Sequence, residues 1–200
     1  DIYSPVINEK IRVYNKKESC NQQCVGCKHR VLSDDLLPIL EGVEKLIQKY
    51  KGAELELRSA IRHDIILDQE ELFKKILQFS NRLKIAPEHI SDKVLKQMNK
   101  SKKETFLRFL KLYRKLTKNK LIPYFIAAHP GTTKEDMEEL REFCDKNNFY
   151  VNLTQIFTPT PGTMSTAIYY SGENPITKEK VYVARSFREK KDQKNILLED

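Results

Sequence analysis

Three cysteines fall within eight residues: Cys20, Cys24 and Cys27, spaced C-x3-C-x2-C, with His29 two positions on. Thiolates this close can turn onto one metal centre, and Gly26 lets the loop bend tightly. Two centres suit the spacing. An iron-sulfur cluster could take the three thiolates and leave one iron open for a ligand. Zinc could take the same thiolates plus His29. Free thiols in a loop are the plain alternative. A disulfide framework would spread its pairs over a smaller chain, so the expected compartment is a reducing one, the cytoplasm. The fourth cysteine, Cys144, stands alone on an apolar stripe and reads as core packing.

A second set of reactive side chains comes from the histidines. Of four, His63, His89 and His129 each follow a short apolar run with the character of a strand. Runs start near residues 54, 83, 121 and 151, and helical sequence follows each of the first three. This spacing fits consecutive β-α units, which require parallel pairing and right-handed crossovers. The C-terminal strand ends would then share one rim carrying Arg58, Arg62, Asp64, Glu88, His89, His129, Gly131 and Thr158. Ligands gather at that rim in α/β proteins, although polar strand ends also serve as ordinary caps.

The elements that must position these groups can be placed in order. Residues 1–33 form an irregular cysteine-bearing segment, with a possible short strand over Ile11–Tyr14. A helix from Ser33 or Asp34 sets Leu36, Leu40, Val43 and Ile47 on one side. Residues 54–59 alternate as a strand, and Asp68 is expected to cap a helix burying Leu72, Phe73, Ile76 and Leu77. The strand over 83–86 leads into a helix from Ser91, which pauses near Asn99–Lys103 and resumes to Lys118. Leu121 to Ala128 is the third strand, and Thr133 with Asp136 reads as a capping box for a helix through Met137, Leu140 and Cys144. The fourth strand is Val151–Phe157, meeting Thr158-Pro-Thr-Pro-Gly162. The barrel-like part is thus 34–166, and 167–200, rich in Arg and Lys, reads as a lid or extension.

Composition agrees with a folded domain: 40% hydrophobic, 32% charged, net charge +8. No apolar run reaches membrane-span length and no signal-peptide pattern opens the chain, so no membrane partner is expected. Opening on Asp1 and closing on Ile-Leu-Leu-Glu-Asp, it reads as a piece of a longer protein. Lys111, Lys115 and Lys118 share a helix face, with Lys96, Lys100, Lys102 and Lys103 just before it. That face is either solvated surface or an RNA-contacting patch. A zinc-stabilised, non-catalytic RNA-binding module is therefore the alternative to an enzyme.

The strand-end phrases carry a resemblance. Arg58-Ser-Ala-Ile-Arg-His-Asp64, Leu83-Lys-Ile-Ala-Pro-Glu-His-Ile-Ser91, Leu121-Ile-Pro-Tyr-Phe-Ile-Ala-Ala-His-Pro-Gly-Thr132 and Phe157-Thr-Pro-Thr-Pro-Gly-Thr163 resemble those of radical S-adenosylmethionine (SAM) enzymes of the YgiQ type. The likeness runs from about Glu54 to Arg188. It implies an α/β fold, a partial (β/α)6 TIM-like barrel, of which this chain would hold about four parallel β-α units, strands three to six. It also implies a [4Fe-4S] cluster, S-adenosylmethionine, an electron donor and a 5′-deoxyadenosyl radical acting on a small-molecule, RNA or protein substrate.

On this resemblance Glu88 and His89 would lie near the polar end of the cofactor. His129, Gly131 and Thr158 would lie along its binding surface, leaving Arg58, Arg62 and Asp64 for the substrate side. In the family the cluster motif follows the first barrel strand. By position, Cys20, Cys24 and Cys27 match instead a second cysteine-bearing insertion ahead of the third strand, so SAM cluster, auxiliary cluster and zinc all stay open. An isolated fragment lacking the first two strands is expected to be inactive.

Overall fold

The computed structural model describes residues 35–149, 151 and 153–198. Cys20, Cys24, Cys27 and His29, and the possible strand at 11–14, lie outside the described residues. The described residues divide into two compact units: those up to Ile85 with Thr105–Lys120, and Ala86–Glu104 with those from Leu121 onward.

In the first unit, α1 (Leu36–Ile47), α2 (His63–Ile66) and α3 (Glu70–Gln78) precede β1 (Arg82–Glu88), whose first residues belong here. Most of α5 (Lys103–Leu116) closes the unit. Its core is aromatic. Phe73, Phe106 and Phe109 are fully buried, and Phe109 lies 5.4 Å from Phe73 and 6.1 Å from the His63 ring. Each such ring contributes about 2 kcal/mol by leaving water.

Two local expectations fail in this unit. Residues 54–59 form no strand. That segment is tied at Leu57, whose N–H donates to Phe79 O, and just beyond it at Ile61, bridged parallel to Ile85. The alternation of charge and leucine is real, but Leu55 and Leu57 are only half-buried, so little apolar area rewards a full ladder. The α3 cap is Gln69 rather than Asp68, with no side-chain capping bond. Glu70 and Glu71 occupy its first turn, where carboxylates favour the positive helix end.

The second unit holds the end of β1, α4 (Asp92–Met98), β2 (Lys120–Ala127) from Leu121 on, α6 (Lys134–Lys146), β3 (Thr154–Ile156), α7 (Met164–Ser171) and α8 (Phe187–Leu198). The sheet order is β1-β2-β3, and β2 pairs with β3 in parallel with Phe125 opposite Thr154 and Ala127 opposite Ile156. This is a mixed α/β fold with a parallel sheet, consistent with part of a TIM-like barrel. The fourth strand is shorter than its sequence suggests. The capping box at Thr133 forms as expected: its hydroxyl accepts from Asp136 N and its N–H donates to Asp136 Oδ2. Met137, Leu140 and Cys144 lie on the buried side of α6. Burial pushes the Cys144 thiol up to about 12, so it is inert packing. The basic tail folds into α8, which packs on α6 and β3. Among the described residues no helix is long and apolar enough to cross a membrane.

Candidate functional site

The C-terminal ends of the three strands converge on a cavity of about 370 Å³, lying wholly within the second unit. Glu88, His129 and Thr158 line it, one from the end of each strand, joined by Lys100, Tyr124 and Ser165. Its size is that of a small-molecule site.

Glu88 ends β1 in the left-handed region at φ 68°, a conformation that costs a non-glycine residue about 1–2 kcal/mol. Burial pushes its carboxyl above the usual range, and the ammonium of Lys100, 3.2 Å from Oε1, only partly offsets that. Oε2 is buried without a hydrogen-bond partner. A buried acceptor left open is a cost the native fold does not accept idly, and a ligand donor would relieve it. Lys100 arrives by a local device. Asn99 ends α4 in the left-handed conformation at φ 61°, and Lys100 N–H folds back to Leu95 O.

His129 follows Ala128, which is itself left-handed at φ 58°. The ring nitrogen Nδ1 lies 2.9 Å from Pro130 O, a pure acceptor, so Nδ1 carries the proton. Nε2 therefore accepts from Ser165 Oγ at 2.8 Å. Burial holds the ring neutral, with its pKa lowered to about 4. Phe157 meets it edge-on at 5.0 Å, giving an aromatic wall. Thr158 turns its hydroxyl back to Ile156 O at 3.4 Å.

The other expected site residues lie elsewhere. His89 is 1% exposed and does not line the cavity; Nδ1 accepts from Ser91 N–H at 3.0 Å, and burial lowers its pKa to about 4. Gly131 (φ 92°) does not line it either: a Cβ there would sit 3.1 Å from Gln97 Cγ, so its close approach is to protein. Arg58, Arg62 and Asp64 belong to the first unit. Arg58 is exposed and pairs with Glu56 at 2.7 Å. Arg62 grips Asp64 with two nitrogens, Nε to Oδ1 at 2.8 Å and Nη2 to Oδ2. Sequence reasoning missed Lys100, Tyr124 and Ser165 as lining groups. Lys100 was hidden in a basic run, and the only signal was the Asn99 break before it.

Residues 32–144 match the radical SAM superfamily model, and 152–198 match a domain of unknown function, DUF3362. A UPF0313 protein of Methanocaldococcus jannaschii is 38% identical over 99% of the chain and 35% of that protein's length. Relatives in Clostridium botulinum (36% over 98% of the chain, 33% of theirs) and Thermotoga neapolitana (36% over 99%, 37% of theirs) agree. The chain belongs to the radical SAM superfamily, in its YgiQ-type family. It spans about a third of the length of these curated relatives.

Membership in the superfamily implies a [4Fe-4S] cluster and SAM in general. The cavity fits the organic cofactor by its chemistry: an open buried carboxylate oxygen for hydroxyl or amino donors, an ammonium for a carboxylate, and an aromatic wall for a flat base. The cluster has no such match here. Among the described residues no group of His, Cys, Asp or Glu could hold a metal ion.

Proposed function

We propose that the second unit is the SAM-holding part of a radical SAM enzyme, and that its cavity takes the adenosyl and methionyl groups of that cofactor. The observation that carries this is Glu88 Oε2, buried and unpartnered at a left-handed strand end. Glu88 accepts hydrogen bonds from cofactor hydroxyl or amino groups, and Lys100 faces the carboxylate. His129 and Phe157 shield the flat base from water, and Thr158 borders it. Bound beside a reduced cluster, SAM supplies a 5′-deoxyadenosyl radical for hydrogen abstraction. Cys20, Cys24 and Cys27 are this chain's candidates for iron-sulfur ligation, and a reducing cytoplasm with an electron donor is the setting that suits them. Arg58, Arg62 and Asp64 are kept as substrate-side candidates.

The test is anaerobic reconstitution of the whole protein with iron and sulfide, then reduction with dithionite and chromatography for 5′-deoxyadenosine. Product is expected, with SAM affinity falling about tenfold in Glu88→Gln, as the loss of one charge-assisted hydrogen bond would give. Stoichiometric zinc, no brown colour and no product would contradict the proposal.

A further inference from the structure

Residues 152–198, matched to a domain of unknown function, supply one side of the cavity through Phe157, Thr158 and Ser165. Their last helix, α8, does something separate. Gln193 is fully buried on it, and both ends of its amide are used on a single turn. Oε1 accepts from Ala128 N–H at 3.0 Å, and Nε2 donates to Thr132 O at 3.0 Å. One turn earlier on the same helix, the Glu189 carboxylate accepts from the Tyr182 hydroxyl and, at 3.0 Å, from Arg185 N–H. Tyr182 O in turn accepts from Gly131 N–H at 2.8 Å.

Both arms end on the stretch Ala128-His129-Pro130-Gly131-Thr132, in which Ala128 and Gly131 are left-handed. That backbone persists only where its surroundings over-determine it. Filling space would need only an apolar side chain at position 193. A buried amide satisfied at both ends instead specifies one backbone geometry.

We propose that α8 is a clamp, with Gln193 and Glu189 as positioning residues that fix the Ala128–Gly131 turn and thereby hold the His129 ring in the cavity wall. The DUF3362 segment is then part of the site's framework rather than a separate functional module. This role goes beyond cofactor binding and depends on no ligand.

The test uses the full chain without ligand. ¹⁵N spectra of the His129 ring report its tautomer, and hydrogen exchange reports the Ala128 amide. In the unaltered chain the Nδ1–H form is expected to dominate. The near-isosteric Gln193→Met is expected to mix the tautomers and to speed Ala128 exchange about tenfold, the loss of one hydrogen bond. Leu197→Ala, buried one turn further along α8, is the control: it is expected to lower stability and leave both readouts unchanged. A wild-type His129 spectrum in folded Gln193→Met overturns the proposal, as does an equal change in Leu197→Ala. Should Gln193→Met not fold, Glu189→Gln decides on the same ring signal: mixed tautomers support the clamp and a wild-type spectrum overturns it. Failure here leaves the cofactor reading intact, and failure of SAM binding leaves the clamp intact.

Discussion

Asp64 and Glu88 are both buried carboxylates beside a cation, yet they end in opposite states. Burial pushes the Asp64 carboxyl up, but hydrogen bonding and charge from Arg62, with the charge of His63, bring it below the usual range. Burial pushes Glu88 up as well, and there Lys100 fails to bring it back. Geometry accounts for the difference. A guanidinium fork occupies both oxygens of Asp64, whereas an ammonium touches one oxygen of Glu88 at 3.2 Å and leaves the other open. The first unit's pair engages both carboxylate oxygens, and the second unit's pair leaves Oε2 open. Perturbed groups mark functional candidates, and these two carboxyls are shifted in opposite directions.

The comparison can be broken experimentally. The largest effect is expected in acid, because the second unit buries neutral imidazoles. The His129 midpoint drops from 6.5 to about 4. Between those values the unfolded chain binds a proton that the native chain does not, so the contribution is whole above pH 6.5 and fades as pH falls toward 4. That amounts to about 3 kcal/mol. Urea unfolding at both ends of this window checks it, and His129→Gln should keep only the share that His89 contributes in the same way.

Next in size is the contrast itself. Asp64→Asn is expected to lose about 2–3 kcal/mol near neutral pH, since it removes the negative charge that the Arg62 fork grips with two nitrogens. Glu88→Gln is expected to be neutral or stabilising there, because the raised carboxyl costs stability as pH rises past its ordinary 4.5. Equal losses in denaturant titrations would erase the distinction.

Gly131→Ala tests the turn beside the cavity. A Cβ at φ 92° and 3.1 Å from Gln97 Cγ is expected to cost about 1–2 kcal/mol in thermal unfolding. Lys100→Met is expected to cost below about 1 kcal/mol, since the buried Glu88 carboxyl it leaves behind is already pushed toward its neutral form. A larger loss would make Lys100 structural and weaken its assignment to the cavity.

The parts of this molecule readable from sequence are those set by near neighbours. Thr133 and Asp136 cap α6 across three residues, and Met137, Leu140 and Cys144 repeat at helical spacing, so both were legible. Glu88, His129 and Thr158 were legible as candidates because each follows an apolar strand. The segment at 54–59 misled because its alternation matched a strand while its leucines lacked cover. Lys100 was missed because its direction depends on one left-handed residue, Asn99. Gln193 was missed because its partners lie more than sixty residues away, where no local period points.

The central claim is that Glu88 and its neighbours form the SAM cavity. The most direct measurement is chemical-shift mapping of the isotopically labelled chain with S-adenosylhomocysteine. Shifts are expected to concentrate at Glu88, Tyr124, His129, Phe157 and Thr158 and to need about tenfold more ligand to saturate in Glu88→Gln. Shifts confined to residues outside this cavity, or saturating at the same ligand concentration in that variant, would contradict it.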